Sequence, residues 1–295
     1  MPGGTKRGSL HLRRLRRSKL FVPGNRPELM AKALLTSADS LSIDLEDAVP
    51  ESEKDAARLQ TSHFLKSADR GNKDLVVRVN ALDTGRMVGD ILAVAPQQPR
   101  TINIPKCESP KDLQVADAIL LHVEQEFNLV PYSIGLMATI ETGAGLRNAY
   151  EIAKSCSRLD SLQLGLGDLK ASTGIQPRTD RLVGVRTMLI LAASEAGIDA
   201  LDSAFVDISD MDGFKHDAAE AKALGFKGKS CIHPKQIELC NTVFAVTDAE
   251  RDEAKALLLA FDDAQKRGIG AIVFRGQLVD NVHALEARRL LGLVE

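Results

Sequence analysis

Eight short apolar runs recur along the chain, each closed by a charged or turn residue and followed by a segment with helical spacing. They are Lys19 to Val22, Ser40 to Leu45, Leu75 to Val79, Thr101 to Ile104, Ile134 to Ile140, Leu162 to Leu166, Ala200 to Phe205 and Lys229 to Ile232. Strands that alternate with helices must lie parallel, because a helical crossover returns the chain to the same end of the sheet. Eight such units within about 230 residues predict a closed (β/α)8 barrel, the TIM barrel. A doubly wound sheet is the alternative, since GAG at Gly143–Gly145 and GLG at Gly165–Gly167 follow strands. Neither completes G-x-G-x-x-G, because Asn148 and Lys170 occupy the third glycine position.

Prolines mark the helix starts. Pro27, Pro50 and Pro110 each stand at a first helical turn, where a missing N–H costs nothing. After Pro50, Ala56, Leu59 and Phe64 are expected to face inward. Beyond the eight units a further segment, 246–295, holds a helix over about Asp248 to Lys266, an apolar piece at Ala271 to Phe274 and a polar tail helix from about Val282. This extension is expected to cap its own barrel or a neighbour's. At the other end, residues 1–17 form a basic arm with Lys6, Arg7, Arg13, Arg14, Arg16 and Arg17, and no acid precedes Glu28. The arm is short and poor in serine for a transit peptide, so a disordered basic arm is expected. The barrel is assigned to 18–245.

Composition then narrows the chemistry. With 38 basic and 40 acidic residues, no tryptophan and 4% aromatic residues, neither a nucleic-acid footprint nor a base-stacking platform is present. No apolar run approaches the roughly 18 residues of a membrane span. Cys107, Cys156, Cys231 and Cys240 are scattered without a CxxC pair and read as reduced thiols of a cytoplasmic protein, not zinc ligands.

In a barrel of this kind the strand ends open on one face, where sites are built. The residues closing the strands are Glu46 and Asp47, Arg78, Lys106, Glu141, Asp168 and His233. Singly, each has an ordinary explanation: a strand-end carboxylate caps the next helix, and Arg78 pairs with one of them. Together they point to a site, because clustered carboxylates repel unless a cation sits among them. Glu141 and Asp168, each just past an apolar strand, suit a hard divalent cation such as Mg²⁺. Lys106 invites comparison with a Schiff-base lysine, but the surrounding carboxylates would keep it charged.

The segments RSKLFVPGNRPELMAKAL, DLEDAVPESEKDAAR, VVRVN, IPKCES, ATIETGAG, LGLGDL, GFKGKSCIHPKQI and FRGQLVD follow in order from Arg17 to Asp280. Together they resemble the citrate lyase beta-subunit-like family, which includes malyl-CoA and citramalyl-CoA lyases of the HpcH/HpaI aldolase superfamily. The resemblance implies a TIM barrel, a Mg²⁺ ion, a coenzyme A thioester as substrate, and a trimer or hexamer. Position by position, it implies Glu141 and Asp168 as metal ligands, and Arg78 as the grip on keto-acid and thioester oxygens. Phe21, Arg26 and Lys32 match positions that hold the CoA moiety, and Glu46 and Asp47 would stand behind the metal's waters. Asp280 matches the family's acid/base aspartate, donated from the C-terminal segment across a subunit boundary. Where relatives often carry a Glu before the metal-binding Asp, this chain has Gly167.

The expected activity is therefore retro-Claisen cleavage of malyl-CoA or citramalyl-CoA to acetyl-CoA and a 2-keto acid. Two other enzyme readings stand beside it: the beta subunit of a citrate lyase complex, with partner subunits and an acyl carrier protein, and a malyl-CoA thioesterase. A non-catalytic scaffold is the reading from another class. The presence of Arg78, Glu141, Asp168 and Asp280 together weighs against it.

Overall fold

The computed structural model describes residues 15–176 and 179–294. The chain divides into two compact units, Met1–Phe244 and Ala245–Glu295. In the first, β1 (Ser18–Pro23), α1 (Pro27–Leu34), β2 (Ser40–Asp44), α2 (Lys54–Ser67), β3 (Asp74–Arg78), α3 (Met87–Val94), β4 (Thr101–Ile104) and α4 (Pro110–Glu126) run in sequence. There follow β5 (Gly135–Ile140), the short α5 (Gly143–Arg147) and α6 (Ala149–Ala153), β6 (Leu159–Leu164), α7 (Leu166–Thr173) and α8 (Thr179–Ala196). The unit ends with β7 (Asp199–Asp202), α9 (Met211–Leu224), β8 (Gly228–Cys231) and α10 (Lys235–Phe244). The strands β1 to β8 pair in chain order, and β8 returns to β1 in parallel register, closing the barrel.

Register partners in a parallel sheet share a face, so one alternation defines the inside. Phe21 pairs with Ser42 and Ser42 with Val76; Asp44 pairs with Arg78, Arg78 with Asn103, and Asn103 with Met137. The other face, including Leu41, Ile43, Leu75, Val77, Ile102 and Ile104, forms the apolar core beneath the helices. The inside is polar, where barrels are usually filled by branched apolar layers. Lys19 is fully buried there, with its amine 3.3 Å from Ser42 Oγ and 4.3 Å from the centre of the Phe21 ring. Burial, then the charges of Arg78 and Arg16, push its pKa well below the lysine range.

Arg16 closes the N-terminal end of the barrel. Its guanidinium donates to Asp74, to Asp160 Oδ1 at 2.7 Å, to Thr101 Oγ1 at 2.7 Å and to Ser161 Oγ at 3.0 Å. Arg17 pairs with Asp39 at 2.8 Å, and its carbonyl accepts from Lys229 N. Both arginines thus belong to the barrel, which corrects their assignment to a disordered arm; residues 1–14 of that arm lie outside the described residues.

Other boundaries shift for local reasons. Leu166 opens α7 and does not close a strand, so Asp168 stands in the first turn of a helix. The face of α2 differs as well: Ala57, Thr61 and Leu65 are buried, whereas Leu59 is exposed. A 3-10 turn at Glu51–Glu53 comes between Pro50 and that helix. The helix α3, which the apolar runs alone did not single out, completes the alternation between β3 and β4.

The second unit consists of α11 (Asp248–Lys266), an antiparallel hairpin of β9 (Ile272–Phe274) and β10 (Gln277–Val279), and α12 (Asn281–Leu290). It has its own small core of Ala254, Leu258, Phe261, Val279, Ala284 and Ala287.

Candidate active site

The C-terminal ends of β2 and β3 supply the first part of the site. Asp44, the last residue of β2, is 1% exposed, and its carboxylate takes both arms of Arg78, from Nε at 2.8 Å and Nη2 at 2.7 Å. The same carboxylate accepts the amides of Glu46 and Ala48. Burial opposes the charge of Asp44, but Arg78 and these hydrogen bonds outweigh it and hold the carboxyl below the usual range. A planar guanidinium gripped on one edge by a carboxylate keeps a fixed orientation, which a lysine would not. Phe21 lies beneath it, the Arg78 Cζ standing 5.1 Å from the ring centre.

Glu46, 4% exposed, completes the hold on Arg78, with Oε2 at 2.9 Å from Nη1. Its other oxygen is 3.0 Å from Lys106 Nζ, which also reaches Asp47 at 3.7 Å. Burial works against the charge of Lys106, yet Glu46 and Asp47 raise its pKa above the ordinary lysine value. The amine is thus held charged, unlike a Schiff-base nucleophile. Both Glu46 and Asp47 thus have cationic partners at the strand ends.

Glu141 is different. It follows β5 directly, is 2% exposed, and accepts the Lys106 amide through Oε1 at 2.7 Å. Among the described residues no cationic side chain lies within ion-pairing distance of it. Burial first, then the Glu46 carboxylate, push its pKa up to about 8. Asp168 adds to this push, while the Lys106 amide and Arg78 oppose it. A carboxylate so placed has a deficit of positive charge that an added cation would relieve. The neighbouring Gly165 has no Cβ; one built there would collide with Glu141 Oε2, so glycine at the end of β6 leaves that oxygen its room. Asp168 follows on the same segment, half-buried in the first turn of α7.

The turn after Glu141 is shaped by a second close approach. Thr142 caps α5, its hydroxyl accepting from Gly145 N at 3.0 Å, and a Cβ on Gly145 would strike the Cys107 carbonyl. Gly145 of ATIETGAG therefore serves close packing between the ends of β4 and β5. Among the described residues no three His, Cys, Asp or Glu side chains are grouped to hold a metal. Two carboxylates with water filling the remaining positions is the arrangement that suits Mg²⁺, and Glu141 with Asp168 fits it.

The remaining sequence candidates are on other elements. Arg26 stands before α1 and pairs with Glu28 at 2.5 Å, and Lys32 is exposed on the same helix. His233 follows β8, its Nδ1 accepting from Lys235 N at 3.2 Å, an ordinary turn contact. Asp280 belongs to the second unit, where it caps α12 by accepting from Val282 N at 2.9 Å and lies 2.8 Å from His283 Nδ1. One contributor escaped the sequence reading, Asp44 as the anchor of Arg78. Asp44 was visible in principle, being in phase with Ser40 and Ser42.

The family model described as HpcH/HpaI aldolase/citrate lyase matches residues 17–234. The chain belongs to that family. It is 37% identical over 282 residues to the citrate lyase subunit beta of Leuconostoc mesenteroides subsp. cremoris, covering 95% of this chain and 93% of that one. A (3S)-malyl-CoA thioesterase of Cereibacter sphaeroides is 35% identical over 281 residues, covering 95% and 94%. Among solved structures, the protein CitE from Mycobacterium tuberculosis, in complex with magnesium, acetoacetate and coenzyme A, superposes with a TM-score of 0.75 at 31% identity. That match covers 93% of this chain and 96% of that one. Family membership makes the chain a lyase-type enzyme on a TIM barrel. Among the described residues no helix is long and apolar enough to cross a membrane.

Proposed function

We propose that this protein is a Mg²⁺-dependent CoA-ester lyase that cleaves malyl-CoA or citramalyl-CoA to acetyl-CoA and glyoxylate or pyruvate. The observation that carries the reading is the presence together at the strand ends of a rigidly held guanidinium, Arg78, and a buried carboxylate, Glu141, that has no cationic side-chain partner among the described residues. The magnesium and coenzyme A bound by the Mycobacterium tuberculosis relative support the same assignment.

Glu141 and Asp168 would hold the Mg²⁺. When bound, it supplies Lewis-acid polarisation of the hydroxyl oxygen that becomes the keto oxygen. The chain's own residues do the rest. Arg78 spends Nε and Nη2 on Asp44 and Nη1 on Glu46, which leaves further N–H bonds of the Nη groups for substrate oxygens. Fixed donors of this kind stabilise oxyanion charge as the Cα–Cβ bond breaks, with no reorganisation during the reaction. Phe21 lies under Arg78, and Arg26, just before α1, and Lys32, on it, would offer cationic side chains to the CoA moiety. Asp280, from the second unit of a neighbouring subunit, would exchange the proton at the acetyl-CoA methyl carbon. That unit exposes Val273, Leu278 and Val282, which supports its packing on another copy in a trimer or hexamer. A cytoplasmic location, and an extension beginning near residue 246, are parts of the same reading.

One alternative has specific support. The thioesterase and citrate lyase relatives match this chain at nearly the same identity, 35% and 37%. A single assay separates them: a panel of β-hydroxyacyl-CoA thioesters, with Mg²⁺ or EDTA, followed for both 2-keto acid and free thiol. Lysis yields keto acid and acetyl-CoA without thiol. Hydrolysis consumes water and yields free CoA thiol without keto acid. Homo-oligomeric protein active on free CoA esters would count against a role as a citrate lyase subunit. Neither product in the presence of Mg²⁺ would overturn the proposal.

A further inference from the structure

Lys106 is a lysine in a backbone conformation that favours glycine. Its φ is +50°, in the left-handed region where a Cβ crowds the following carbonyl. Among the described residues four other non-glycine residues share a positive φ: Gln98, Asn128 and Tyr132 in connections leading to strands, and Arg275 in the hairpin of the second unit. Only Lys106 stands at the strand ends that carry the site. Strain kept at such a place points to a function that the conformation serves.

The conformation aims two groups of one residue at two carboxylates. The main-chain amide donates to Glu141 Oε1 at 2.7 Å. The side chain places Nζ 3.0 Å from Glu46 Oε1, and Glu46 Oε2 in turn braces Arg78 Nη1 at 2.9 Å. The next amide, Cys107 N, donates to the Thr139 carbonyl at 3.1 Å, so the whole turn is fastened to β5. One oxygen of Glu141 is thereby engaged. The other, Oε2, faces the space left by Gly165 at the start of the segment that carries Asp168.

We propose that Lys106 is a positioning residue for both halves of the site: its amide fixes Glu141 so that a single oxygen is offered to a cation, and its ammonium fixes Glu46 against Arg78. The proposal rests on the reading of Glu141 as a metal ligand. The amide governs metal affinity, the ammonium governs Arg78, and the left-handed turn allows one residue to do both. A cationic side chain is required at this position because glycine would supply the turn without the ammonium, while a free ammonium elsewhere would not fix Glu141.

Three variants separate the two arms. Lys106→Gly keeps the turn and the amide but removes the ammonium. Lys106→Val disfavours the left-handed turn and removes the ammonium. Lys106→Arg keeps both arms. Mg²⁺ affinity of the substrate-free protein is measured by calorimetry, kcat and KM are measured separately, and circular dichroism with thermal melts verifies folding. The expected result is Mg²⁺ affinity within about twofold of wild type for the Gly and Arg variants, against a loss of about 10- to 100-fold for Val, the range of a displaced supporting partner. For Gly, kcat is expected to fall about tenfold with little change in metal affinity, and Arg should restore it to within a few-fold. If Val does not fold, Lys106→Thr, β-branched in the same way and therefore also disfavoured at a positive φ, takes its place and should show the same loss of Mg²⁺ affinity. Equal losses of Mg²⁺ affinity in Gly and Val would overturn the role of the amide. An unchanged kcat in Gly would overturn that of the ammonium. Wild-type protein that binds no Mg²⁺ at all would instead refute the metal reading on which the proposal rests.

Discussion

Glu141→Gln should make the protein more stable at neutral pH, by an amount the structure supplies. In the folded chain the Glu141 pKa is pushed up to about 8, against an ordinary value of 4.5. A carboxyl whose folded pKa is raised favours the native state fully only below its unfolded pKa. That contribution is lost as pH climbs through the window up to the folded value. Each pH unit within the window removes about 1.4 kcal/mol, so at pH 7 the wild-type side chain costs about 3 kcal/mol relative to a neutral one. Glutamine keeps the length and can still accept the Lys106 amide, so the variant should recover that sum. The assay is urea unfolding in EDTA at half-unit steps from pH 4.5 to 8.5. The two proteins should coincide near pH 4.5, and the variant should pull ahead as pH rises. Adding Mg²⁺ should reverse the order, because the cation stabilises only the protein that binds it and releases the Glu141 proton in doing so. A stability difference that is absent, or constant across the pH range, would refute the reasoning.

Three further outcomes are expected. Asp280→Asn should lower keto-acid release at least ~100-fold, the scale of a lost acid/base group, while leaving the melting temperature unchanged. Asparagine caps a helix as well as aspartate does, so a parallel loss of stability would show that the cap, not the chemistry, was removed. Arg78→Lys should lower kcat at least ~100-fold, since one ammonium cannot serve both oxygens of Asp44 and still present donors to substrate; near-normal turnover would remove Arg78 from the chemistry. Arg16→Met should cost about 3–5 kcal/mol in urea unfolding, because it leaves Asp74 and Asp160 without their guanidinium partner; a neutral effect would show that the floor of the barrel is dispensable.

The barrel was legible because its evidence is repeated: eight apolar runs with helical segments after them leave few topologies. The strand-end rule then groups Glu46, Arg78, Lys106 and Glu141 from the sequence. Other features depend on dihedral angles or on individual contacts, which no periodicity encodes. The left-handed turn at Lys106 has no marker in IPKCES, since nothing in a lysine announces a positive φ. Asp44 was hidden by its neighbours Glu46 and Asp47, although only Asp44 belongs to the strand itself. On α2 the apolar stripe misled because Thr61 is buried and Leu59 is not. The role given to Asp280 has no spacing signal at all; pattern alone would leave it a turn carboxylate, and its position as a helix cap explains why.

The polar interior of the barrel has a consequence for how such a protein can change. The outward side chains of its strands, such as Ile43, Val77 and Ile102, carry the apolar packing against the helices, whereas the inward ones hold the site and its polar underlay. Adjacent residues on one strand therefore answer to different selective demands. Substitutions on the inner lining bear on recognition, but where charges are buried in pairs one partner cannot change alone without a cost in stability. A barrel lined this way would change what it recognises by paired steps within, under a shell of apolar packing that does not take part.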